Sequence, residues 1–177
     1  MRTIRTRVFV LALAALLPAA GYAAGVVELM RYLPDRETVT EGDAVKAAAV
    51  LLGERQHVME LAPCEARLRS HGVLDAGDSY KPTRTLHKGF ASMVFARTMG
   101  LKGGWAGRLS GKLGPRLAYN ELEFMNLVPP LGAADQMTGG ELLALMKHAQ
   151  DHMRAEAENQ KTIRDYQAKK KARRDSH

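Results

Sequence analysis

Leu86-His87-Lys88-Gly89-Phe90-Ala91-Ser92 decides the fold, because the chain writes this phrase three times. Val39-Thr40-Glu41-Gly42-Asp43-Ala44-Val45 stands before it, and Met137-Thr138-Gly139-Gly140-Glu141-Leu142-Leu143 follows. Each copy begins with an apolar residue, continues with Thr or His and any residue, and then places a Gly at the opening of a helix-like run. Gly42, Gly89 and Gly140 recur at intervals of roughly fifty residues, a period typical of architectures that repeat one supersecondary unit.

Working outward, each phrase is preceded by a short apolar segment that ends in a turn. These segments are residues 27–34, 66–74 and 120–129, and in each the apolar side chains recur every three to four positions. That spacing is the signature of one buried helix face. Turn chemistry follows at Asp35, at Asp75-Ala76-Gly77-Asp78 and at Pro130-Leu131-Gly132. The unit is therefore helix, loop, helix, and the expected fold is all-α: three such repeats packed as a small bundle, with a long polar C-terminal helix.

Thr40 and Thr138 are suited to cap the second helix of their units, because a hydroxyl there accepts from an orphan first-turn N–H. Thr85 is the corresponding expectation in the middle unit, where His87 replaces the Thr. The recurring Gly falls within the first turn, and room for a neighbouring backbone is the reason expected for it. Buried faces are expected from Ala44, Ala47, Ala48, Leu51 and Leu52, from Phe90, Met93, Val94 and Met99, and from Leu142, Leu143, Leu145, Met146 and Ala149.

The N-terminus reads as an export signal. Arg2, Arg5 and Arg7 precede the apolar run Val8–Leu17, Pro18 breaks it, and Gly21-Tyr22-Ala23 supplies a small-residue cleavage site after Ala23. The run is too short for a comfortable membrane span. A domain over 25–153 and a polar, basic tail over 154–177 remain. The expected location is periplasmic or extracellular, in association with the cell envelope.

Cysteine and charge narrow the classes further. Cys64 is the only cysteine, so no disulfide forms within the chain and stability must come from packing. The formal net charge is +7, but residues 161–177 alone hold seven Lys/Arg against two Asp, and residues 25–160 are nearly neutral. A folded domain without a basic surface argues against a specific nucleic-acid module.

The middle unit resembles the S-layer homology family. Gly72-Val73-Leu74, Tyr80-Lys81-Pro82 and Leu86-His87-Lys88-Gly89-Phe90-Ala91 follow that family's order, and the segment ending Met99-Gly100-Leu101 is similar as well. The resemblance implies three pseudo-equivalent helical repeats that hold a cell-wall polymer or peptidoglycan without catalysis. In the family's Thr-Arg-Ala-Glu box the Arg contributes to polymer binding. Glu41, Lys88 and Gly139 stand at the matching positions, so only Lys88 keeps a positive charge.

Gly100–Pro115 interrupts the repeat pattern with six glycines in sixteen residues. Within and beside it, Lys102, Arg108, Lys112 and Arg116 could meet an anionic glycan or lipid headgroup beside Trp105, and with Lys88 they form the candidate ligand set. Gly111-Lys112 is not a phosphate loop, because Ala106 stands where the first Gly would be and Leu113 follows the Lys. His148 and His152 share a helix face, but Ala149 replaces the Glu of a zinc-protease motif and no third ligand is evident. Glu121 and Glu123 point to different faces of a helix, which suits no acid–base pair. No Ser-His-Asp or Cys-His set can be argued. The expectation is a non-enzymatic attachment or scaffold protein without cofactor or metal. The alternatives are a periplasmic adaptor working through its C-terminal helix and basic tail, and a small envelope enzyme.

Overall fold

A computed structural model describes residues 24–101, 113–130 and 132–175. The export-signal expectation (1–23) and the segment 102–112 lie outside the described residues. The described residues form six helices and no strand: α1 (24–32), α2 (Glu41–Leu51), α3 (Leu61–Ser70), α4 (Lys88–Thr98), α5 (Pro115–Phe124) and α6 (Gly139–Asp175). They pair as helix, loop, helix, three times over, the second helix of each pair (called long below) exceeding the first by one or two residues in the first two pairs and by far more in the third. The protein is an all-helical bundle with a long C-terminal helix.

The long helices α2, α4 and α6 all touch one another, and α3 packs on α2 while α5 packs on α4. The short helices α3 and α5 thus each cover the long helix of the preceding repeat. Ala44, Ala47 and Ala48 let α2 approach its neighbours, and Val94, Phe95, Leu142 and Leu145 fill the space between them. Cys64 is fully buried in α3, its thiol donating to the carbonyls of Val58 and His57 at 3.6 and 3.7 Å, and burial pushes the thiol up to about 11. It is a small core residue that resists ionisation.

The second and third short helices start and stop earlier than the apolar spacing suggests. Pro63 and Pro115 sit in their first turns, where a missing N–H costs nothing. At the other end Gly72 and Asn126 take positive φ (68° and 57°) and reverse the chain. Val73 N–H then reaches back to Leu68 O at 2.9 Å, and Leu127 N–H to Leu122 O at 2.8 Å. These are Schellman closures, and they fold Val73 and Leu127 back toward the core instead of continuing the helix.

The three recurring phrases meet at the centre of the molecule. Leu86 N–H donates to Val39 O (2.8 Å) and Met137 N–H to Leu86 O (3.0 Å), laying the three phrases side by side as antiparallel bridges. The first turn of any helix carries N–H groups with no partner inside the helix. Here the loop of the next repeat provides the acceptors. Glu41 and Gly42 donate to Arg84 O and Pro82 O (2.9 and 3.1 Å), and Lys88 and Gly89 donate to Asp135 O and Ala133 O (2.9 and 2.8 Å). Gly139 N–H donates to Arg36 O at 2.9 Å, so the third repeat returns to the first. The repeats close into a ring.

This closure accounts for the glycines. A Cβ on Gly42 would stand 3.0 Å from Pro82 O, and one on Gly89 3.0 Å from Ala133 O. Gly140 departs from the expectation, since a Cβ there meets nothing within 4 Å. Its neighbour Gly139 takes the role, because a Cβ at 139 would overlap the carbonyl of Leu33. The third interface is shifted by one residue: the first-repeat loop offers Arg36 O, which brings the preceding position closest.

Candidate functional site: a cleft between the second and third repeats

Where α5 lies along α4, the two loops leave an open cleft of about 920 Å³. Phe90 and Met93 of α4 line it from within and are almost wholly buried, whereas Arg116 and Asn120 of α5 stand exposed beside them. Arg84 and His87 reach it from the middle unit. Apolar side chains below and a few polar groups above are the ordinary composition of a small-ligand or polymer groove.

The walls are held by two ion pairs, one of which crosses between repeats. Glu41, 1% exposed, accepts from Arg84 Nε at 2.6 Å and from Lys81 N–H at 2.8 Å. The Arg84 guanidinium also donates to Ser79 O. His87, at the N-cap of α4, uses Nδ1 against Ala134 O at 2.7 Å and makes no side-chain cap. Thr85 therefore does not cap α4 as the sequence suggested, because His87 occupies the cap and the loop of the third repeat supplies the acceptors. Behind the cleft, Arg97 binds Asp78 at 2.7 and 3.3 Å, Val73 O at 3.0 Å and Leu113 O at 3.2 Å. That planar fork ties the second loop to the entry of α5.

Thr40 and Thr138 each sit in a reciprocal box. Thr40 Oγ1 accepts from Asp43 N–H at 3.3 Å, and Asp43 Oδ2 accepts from Thr40 N–H at 2.9 Å. Thr138 and Glu141 do the same at 3.3 and 2.8 Å. Glu141 also holds Lys88 Nζ at 2.9 Å. Burial alone would raise the Glu141 carboxyl, but the Thr138 N–H, Lys88 and the Thr138 hydroxyl outweigh it and hold it below its ordinary value.

The sequence-derived ligand set separates in the structure. Lys88 is buried, with its charge engaged by Glu141 in an inter-repeat contact. Arg116 stands at the cleft. Lys102, Trp105, Arg108 and Lys112 lie outside the described residues. His148 is exposed and His152 half-buried on α6. Among the described residues no three His, Cys, Asp or Glu side chains gather as a metal site. No described helix is long and apolar enough to cross a membrane.

Asn120 and Arg84 escape the sequence reading as cleft residues, and Glu123 enters it only as half of an acid–base pair. Asn120 and Glu123 look like the polar face of an isolated helix, and only the pairing of α5 with the preceding long helix brings them to Phe90 and Met93. The signal available was Gly89: a small residue on α4 marks where the next unit comes close, and Gly89 itself lines the cleft. Comparison with known proteins finds no matching family model, no matching curated protein and no matching solved structure.

Proposed function

We propose that the protein is an exported, non-catalytic attachment domain of the cell envelope, and that it holds a cell-wall polymer in the cleft between its second and third repeats. The observation that carries this reading is the cleft itself. It is open, apolar at its base through Phe90 and Met93, and bordered by Arg116, Asn120 and Glu123. Sugar rings bury their apolar faces on such a base while hydroxyls and anionic groups meet the polar border. The ordered threefold phrase, with its likeness to S-layer homology repeats, and the export-type N-terminus support the same reading.

The experiment is sedimentation of the mature chain with purified sacculi. Arg116→Glu reverses the charge at the border, and Asn120→Trp fills the opening; both residues are exposed, so the helical spectrum should not change. Each variant is expected to lose at least about tenfold in affinity, roughly 1.4 kcal/mol. Full retention by both variants would exclude the cleft as the binding site.

A further inference from the structure

The last part of α6 leaves the body of the protein. Ala149 is buried and Met153 half-buried, but every residue from Arg154 to Lys171 is exposed. At 1.5 Å per residue, the stretch from 154 to 175 projects about 33 Å. Its charges are sorted along its length. Near the base, Arg154 pairs with Glu158 at 3.4 Å and Gln160 binds Glu156 at 2.9 Å, so the acids are met locally. Farther out come Lys161, Arg164, Lys169, Lys170 and Lys171 around a single acid, Asp165, and no ion pair engages any of these five cations among the described residues. The sequence adds Arg173 and Arg174.

We propose that this arm is a second binding site, separate from the cleft, for a linear phosphate-bearing wall polymer. The geometry of the charges selects a flexible chain. With 3.6 residues per turn, Lys169, Lys170 and Lys171 fan over about 200° of the circumference, Lys161 falls on the remaining side, and Arg164 lies on the same side as Lys171. A flat bilayer or a globular acidic partner meets one side of a rod and would leave several of these cations unused. A membrane-surface helix also needs a continuous apolar face, and here only Ile163 and Tyr166 interrupt the polar surface. A polyanion can wind around the rod and engage all sides, releasing counterions as it does so. The identity of the polymer as a wall component rests on the envelope reading above; the polyanion site rests on the arm alone.

The test measures binding of the full mature chain to fluorescent poly(glycerol phosphate) by anisotropy over a salt series. The triple variant Lys169→Gln, Lys170→Gln and Lys171→Gln keeps good helix formers in place. Wild type is expected to bind and to lose at least about tenfold between low and physiological salt. The variant is expected to bind at least about tenfold more weakly at low salt, with a shallower salt slope. Equal binding by wild type and variant would overturn the proposal. So would tighter binding to phosphatidylglycerol vesicles, or to single-stranded DNA of equal charge, than to the polymer. Retention of sacculus binding by the triple variant, with its polymer binding lost, separates the two sites, and failure at the arm leaves the cleft reading standing.

Discussion

At the scale of single residues, the ring closure turns on two adjacent glycines with opposite roles. Gly139 has the Leu33 carbonyl where its Cβ would be, whereas Gly140 faces open space. Gly139→Ala must therefore push the first-repeat loop away and should destabilise by about 1–3 kcal/mol. Gly140→Ala should be neutral or slightly stabilising, because Ala is the better helix former. Urea denaturation midpoints of the two variants measure this, and equal midpoints would mean that the third contact bears no strain. Gly140 was the residue that periodicity singled out, and periodicity could not see the one-residue shift. A repeat preserves register along the chain, but the carbonyl that approaches is set by how the first loop turns at Leu33–Arg36.

Lys88 is a second residue whose role the sequence hid. A lone cation at a helix start looks like a ligand contact until Glu141, far along the chain, is found against it. The folded carboxyl of Glu141 is depressed below 4.5, its ordinary value. Its contribution is thus fully present above that value and is lost as pH falls through the depressed one. Melting temperatures of wild type should drop on acidification through this window. Glu141→Gln should already be less stable at neutral pH, by about 1–3 kcal/mol, since it leaves the buried Lys88 short of an acceptor. The variant should then lose less between neutral and acid pH than wild type; parallel curves would remove Glu141 from the acid response.

Among the elements, the helix starts were the most legible feature. Thr40 with Asp43 and Thr138 with Glu141 are short-range devices, written within four residues, so the sequence shows them directly. Helix ends were less so, since Asn126 and Gly72 stop α5 and α3 while apolar residues continue past them. Those apolar residues serve the core from a reversed chain, which spacing alone reads as more helix. α6 shows the opposite case. Its outer half lacks an apolar stripe, yet helix formers and local pairs such as Arg154–Glu158 keep it helical as it leaves the body. Ending the chain after Met153 should change the unfolding free energy by less than about 0.5 kcal/mol, because nothing beyond it packs on the core. A loss of several times that size in urea denaturation would show that the arm folds back on the bundle in solution.

For the whole molecule, the cleft residues were legible only in part because the cleft belongs to no single repeat. Phe90 and Met93 read as core, and Asn120 and Glu123 only as members of a helical segment; the site exists only once α5 lies on α4. The ring makes that placement rigid. An open array of repeats unravels from its ends, with protection graded along the chain. A closed ring, in which each long helix donates its first-turn N–H groups to the next unit and the third returns to the first, opens as one. Native-state hydrogen exchange reads this directly at the N–H groups of Gly42, Leu86, Gly89, Met137 and Gly139. A closed ring predicts that all five exchange with one free energy, equal to that of global unfolding, and that urea lowers them with one slope. A staircase of protection along the chain, with Gly139 exchanging by local opening far faster than Gly42 and Gly89, would contradict the closed ring and with it the fixed cleft.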